Sequence, residues 1–298
     1  MAPRLKPKKP GARGVERALE REVKKALESL DGGRPVSEES VHSARKRLKR
    51  ARAELRLMRP ALGDRVYRRE NRALRDAARP LSEARDAKVM VETFQALGLD
   101  HGVNTRRFRA VLAQQRRDAT HKIQNPKRVA AVLGDLRSVH RRVSRARPRR
   151  HGWSVMGPGL RRTYRAGRRA YAAARLRRTP ALLHEWRKQT KYWWHIVQIL
   201  EPIWPEALRR IGRQAHRLSD QLGEDHDLVM LRESAARSAD PATRQAALDG
   251  IDRRRQALQN RAMALGAIVF KERPRTLERR LHRRWRAWRS NQPKDDRS

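Results

Sequence analysis

Residues 183–202 read LHEWRKQTKYWWHIVQILEP, and residues 41–60 read VHSARKRLKRARAELRLMRP. Set side by side at an offset of 142, His42 meets His184, Arg45 meets Arg187 and Lys46 meets Lys188. Lys49 likewise meets Lys191, and Pro60 meets Pro202. The lead-in agrees as well. Ser37 stands opposite Thr179, both types whose side chains accept a hydrogen bond from the free amides of a helix start. Pro180 then occupies the first helical position, where proline is welcome.

Each stretch resolves into two helical faces. Val41, Ala44, Leu48, Ala51, Leu55, Met58 and Leu62 recur at spacings of three and four, which makes one apolar stripe. The second copy gives Leu183, Trp186, Thr190, Trp193, Val197, Leu200 and Trp204, where only Thr190 departs. These tryptophans are therefore assigned to the core, not to base stacking, while Trp194 lies off the stripe. The adjoining stripe is His42, Arg45, Lys46, Lys49, Arg52 and Arg56. Its copy is His184, Arg187, Lys188, Lys191, Trp194 and Gln198. Positions i, i+3, i+4 and i+7 share a face, and His42 to Lys49 extends about 10 Å. Like charges so spaced destabilise an isolated helix. A solvated charged face accounts for many scattered arginines, but not for one pattern recurring in register.

The match continues at an offset of 141, where LSEARDAKVM (81–90) meets LGEDHDLVML (222–231). Glu83 pairs with Glu224 and Asp86 with Asp227, while Arg68, Arg69 and Arg72 meet Arg209, Arg210 and Arg213. This internal repeat divides the chain into a basic tail (1–10), a first half (11–150), a second half (151–290) and a polar tail (291–298). RPRRHGWSVMGPG (147–159) carries the Pro and Gly of a linker. Helical periodicity gives segments near 12–30, 38–60, 64–97 and 105–146. The second half gives 156–177, 180–200, 205–237 and 241–289. Pro80, Pro126 and Pro274 should kink or break the longer ones. The expected fold class is all-α: two four-helix bundles related by a pseudo-two-fold axis.

Composition narrows the function. The 298 residues hold 74 Lys and Arg against 32 Asp and Glu, a formal net charge of +42. So large a charge repels itself in the compact state and is most readily tolerated beside a polyanion. Nucleic acid, an anionic membrane and inorganic polyphosphate are the partners it fits. No cysteine is present, so disulfides and thiolate metal sites are excluded. The start MAPRLKPKKPGARG lacks the apolar core of a secretory signal. No apolar run approaches the ~20 residues of a membrane span. The expected location is the cytoplasm.

His184 is a poor metal ligand, because Arg and Lys surround it and Glu185 points elsewhere on the helix. No metal or cofactor is expected. In GEDHD (223–227) only Glu224 and Asp227 share a face, and the first copy, SEARD, lacks the histidine. Glu83, Asp86, Glu224 and Asp227 are read instead as ion-pair partners that orient the basic stripe. A nucleophilic histidine lacks an orienting partner. EREVK (20–24) fits the E-x-E-x-K pattern of triphosphate tunnel enzymes, but that pattern belongs on a β-strand. Here the period is helical, and Glu20 and Lys24 are expected to form an i,i+4 pair.

The two H-x-x-R-K-x-x-K helices, at 42–49 and 184–191, together with the ARD and LGEDHD segments after them, resemble the conserved-histidine α-helical domain, the CHAD family. The likeness runs from about 12 to 290. It implies two four-helix bundles with a basic surface or pore at their junction. It also implies binding of inorganic polyphosphate and association with polyphosphate granules. Some members are fused to a CYTH domain. This sequence shows none, so no enzymatic activity is carried over. The expected polyphosphate site comprises His42, Arg45, Lys46, Lys49, Arg52, Arg56 and Arg72 from the first copy. The second copy contributes His184, Arg187, Lys188, Lys191 and Arg213. Arginine offers phosphate a planar fork and lysine a mobile point charge. Weak non-specific binding to nucleic acid is expected alongside. Trp194 and Gln198 stand opposite Arg52 and Arg56, so the halves need not contribute equally.

Overall fold

A computed structural model of the chain describes Leu5 and residues 12–31, 36–98, 103–146 and 152–291. The basic tail apart from Leu5, the start of the linker and nearly all of the polar tail lie outside the described residues. All regular structure among the described residues is helical, as the periodicity requires. The first half holds α1 (Ala12–Asp31), α2 (Glu38–Leu62), α3 (Asp64–Ala78), α4 (Pro80–Ala96), α5 (Val103–Gln124) and α6 (Pro126–Ser144). The second holds α7 (Trp153–Leu176), α8 (Pro180–Leu200), α9 (Pro205–Ser238), α10 (Pro241–Val269) and α11 (Pro274–Ser290).

The breaks follow the local chemistry. Ser37 Oγ accepts from the Ser40 amide at 3.1 Å to start α2. Thr179 Oγ1 accepts from Leu182 at 3.4 Å to start α8, with Pro180 at its first turn. Pro80, Pro126 and Pro274 each open a helix, because proline fits a helix start and disrupts an interior. The segments expected at 64–97, 105–146 and 241–289 are therefore each two helices. Gly63, at φ 79°, separates α2 from α3 in a left-handed conformation that favours glycine.

The apolar stripes lie in the core. Val41, Ala44, Leu48, Ala51, Leu55 and Met58 are buried, as are Leu183, Trp186, Trp193, Val197 and Leu200. Thr190, the one polar residue in the second stripe, is fully buried with them. α2 packs against α7 and α8, and α4 packs against α9, so the basic stripes of α2 and α8 come face to face. A second apolar cluster, around Phe94, Phe108, Leu231 and Ile251, ties α4 and α5 to α9 and α10. Phe94 and Phe108 meet edge to face at 5.1 Å. The Glu20–Lys24 pair does not form. Lys24 reaches Glu28 at 3.9 Å, and Glu20 accepts from Ser144 Oγ at 2.9 Å.

A candidate polyanion-binding cleft between the two basic helices

Where α2, α4, α8 and α9 converge, they enclose a cleft of about 500 Å³. His42, Arg45, Lys46 and Lys49 line it from α2, Arg85 and Asp86 from α4, and Arg187 and Lys191 from α8. His216, Asp220, Glu224 and Asp227 line it from α9. Cations separated by 142 positions in the chain thus share one space.

Their electrostatics are unusual. Arg45 is held in place: its guanidinium donates to the Ser82 carbonyl at 3.2 Å and to Asp86 at 3.4 Å. Lys49, Arg187 and Lys191 are partly buried, yet none makes a hydrogen bond or ion pair with another described residue. The Arg187 Nε is wholly buried and unpartnered. Burial, reinforced by repulsion from Lys191, Arg45 and Arg187, pushes the Lys49 ammonium down to about 7. Burial and Arg187 push Lys191 down to about 8, against the opposing pull of Asp227 and Asp220. Burial lowers Arg187 as well, opposed by Asp227, Asp86 and Asp220, although a guanidinium stays charged at any physiological pH. A partly dehydrated cation without a counter-charge costs free energy. An anion entering the cleft would recover it.

Burial and the neighbouring cations disfavour the charged forms of His42, His184, His195 and His226. Burial, then Arg85, Lys46, Lys49 and Arg45, lowers His42. Burial and Arg187 lower His184, whose ring packs at 4.4 Å from that of His226. His226 is pushed down to about 4, chiefly by burial. His195, on the cleft floor, is pushed down to about 3 by burial and contacts the Gln198 amide through Nδ1 at 3.2 Å. No group of acidic, histidine or cysteine side chains among the described residues is arranged to hold a metal ion.

Other residues read from the stripe lie elsewhere. Lys188 pairs with Glu185 on the exposed side of α8. Arg56 lies 3.5 Å above the Tyr192 ring and donates to Asn71 at 3.0 Å. Arg52 donates to the same Asn71 oxygen at 3.2 Å and lines a smaller neighbouring pocket. Arg72 and Arg213 are exposed and line neither space. His184 sits behind the cleft wall, against His226. Of the acidic residues, Asp86 braces the stripe through Arg45, and Asp227 faces Arg187 and Lys191. Glu83 turns instead to Arg128 on α6 at 3.8 Å, and Glu224 to Arg254 on α10 at 2.5 Å.

Arg85, His216 and Asp220 line the cleft although the repeat did not mark them. All three occupy aligned positions where the halves differ: Arg85 opposite His226, Arg75 opposite His216 and Arg79 opposite Asp220. Looking for identity passes over such positions.

No helix among the described residues is long and apolar enough to cross a membrane. No curated protein matches the sequence. Among solved structures, the CHAD domain from the plant Ricinus communis is similar in fold, with a TM-score of 0.53 and 14% identity over 90% of this chain and 89% of that one. The family model described as CHAD domain matches residues 17–236. That match covers more than half of the sequence and includes both basic helices and every wall of the cleft, so the chain belongs to the CHAD domain family.

Proposed function

We propose that the chain binds inorganic polyphosphate in this cleft without acting on it chemically, and that this attaches it to polyphosphate granules. The observation that carries the reading is the set of three partly buried cations, Lys49, Arg187 and Lys191, none of which makes a hydrogen bond or ion pair with another described residue. A linear chain of phosphates supplies closely spaced charge and no bases. The cleft offers forks and ammonium groups, and among its lining residues Trp194 is the one Phe, Tyr or Trp. Membership of the family supports the same ligand. We read the two halves as copies of one four-helix unit, which accounts for cations of α2 and α8 meeting across a shared space.

The net charge of +42 favours nucleic acid as a second ligand. Competition separates the two. At fixed salt and equal phosphate concentration, bound long-chain polyphosphate should resist displacement by duplex DNA. Full displacement would move the assignment to nucleic acid. Release of phosphate on incubation with divalent metal, lost on His42→Ala, would instead show an enzyme.

A further inference from the structure

The cleft does not end symmetrically. Beside it, between α2, α3 and the start of α4, lies a pocket of about 290 Å³ lined by Arg45, Lys49, Arg52, Arg75, Arg79 and the single carboxylate Asp76. Arg45 and Lys49 line both spaces, so the pocket adjoins the cleft across these two side chains. Asp76 is shared between Arg75 at 3.1 Å and Arg79 at 3.7 Å. It leaves the pocket strongly cationic.

The repeat supplies the internal control. Positions matching Arg52, Arg75 and Arg79 hold Trp194, His216 and Asp220, and these line the central cleft itself, on the α8 and α9 side. There Trp194 packs edge to face on His216 at 4.2 Å, and His216 contacts Asp220 at 2.6 Å. The α3 side is therefore strongly cationic. The other carries a Trp194–His216 ring pair and, in Asp220, a carboxylate where the first has a guanidinium.

Resting on the polyphosphate reading, we propose that a long polyanion occupies the cleft and leaves it in one direction only, over Arg52, Arg75 and Arg79, which form a second binding segment for linear phosphate chains. Short chains fill the cleft alone. Longer chains gain affinity by reaching Arg75 and Arg79, whose guanidinia are exposed at the pocket mouth.

The test compares tripolyphosphate with long-chain polyphosphate by titration at one salt concentration. Tripolyphosphate affinity reports the cleft, and the ratio of long-chain to tripolyphosphate affinity reports the segment. Arg75→Glu with Arg79→Glu should lower that ratio at least tenfold, and the paired glutamine variant should lower it less. Arg210→Glu with Arg217→Glu makes the same charge change at exposed arginines of α9 outside both spaces, and should leave the ratio unmoved. An unchanged ratio in the Arg75/Arg79 variants, or an equal fall in the α9 control, overturns the proposal. Failure of the unaltered protein to bind either ligand overturns the polyphosphate reading itself, and the segment falls with it. Both altered pairs are solvent-exposed, and circular dichroism checks that the helices persist.

Discussion

The two ends of the cleft are built at equivalent places in the repeat and have opposite characters. At the α3 end, Arg52, Arg75 and Arg79 outnumber the single carboxylate Asp76. At the α9 end, Asp220, Glu224 and Asp227 stand near Arg187 and Lys191, and Trp194 packs against His216. The cations at the centre are matched, whereas the flanks are not. The repeat places matched cations on α2 and α8, and a few aligned positions that differ give the two sides of the space between them different charge. Exposed arginines elsewhere serve as a reference: they share the charge but not the partial dehydration.

The largest expected effect lies at the centre. Arg187→Glu should weaken long-chain polyphosphate binding more than 100-fold, because a charge-assisted contact is worth about 1.5–3 kcal/mol and the reversal adds repulsion. Arg213→Glu, an exposed change of equal charge, should cost about threefold or less. Equal losses would erase the distinction between cleft and surface.

The pH dependence comes next. Lys49 and Lys191 are held down to about 7 and about 8 by burial and neighbouring cations, and a bound polyanion favours their charged forms. Binding therefore takes up protons. Affinity should be greatest below about pH 7 and fall as pH rises through 7 to 8 and beyond. Calorimetry in buffers of different ionisation enthalpy reads the uptake directly, and a pH-independent affinity contradicts it.

A smaller effect belongs to the α9 end. Asp220→Asn removes a carboxylate from the cleft lining and should raise affinity by about twofold to fivefold, since solvent screens a partner this exposed. A loss would mean that Asp220 positions the site instead of opposing the ligand.

The smallest effect is on stability. The Lys49 ammonium is disfavoured in the fold, so its cost is fully present below about pH 7 and disappears as pH rises toward the ordinary lysine value. Lys49→Met at neutral pH should raise the ligand-free Tm by about 2 °C or more while weakening binding. A lowered Tm would mean that Lys49 holds the fold together.

Much of this was legible in the sequence, for physical reasons. Apolar spacing placed Trp186 and Trp193 in the core, proline placed the helix breaks, and the repeated cations pointed to one shared surface. Periodicity fixes a face only to within a broad sector of the helix, however. It could not tell Lys191, turned into the cleft, from Lys188, turned to Glu185 outside it. It could not place Arg52 and Arg56 against Asn71 and Tyr192 either, because those contacts depend on how α3 and α8 pack around α2. Arg75, Arg79, His216 and Asp220 escaped notice because they are where the copies disagree.

One comparison tests the central claim most directly. The cleft triple Lys49→Met, Arg187→Met and Lys191→Met removes three basic side chains, as does the exposed α7 triple Arg162→Gln, Arg165→Gln and Arg169→Gln. Titrated with long-chain polyphosphate at one salt concentration, the cleft triple should lose at least 100-fold in affinity and the α7 triple less than tenfold. Equal losses would contradict the account, because binding would then follow net charge and not the cleft.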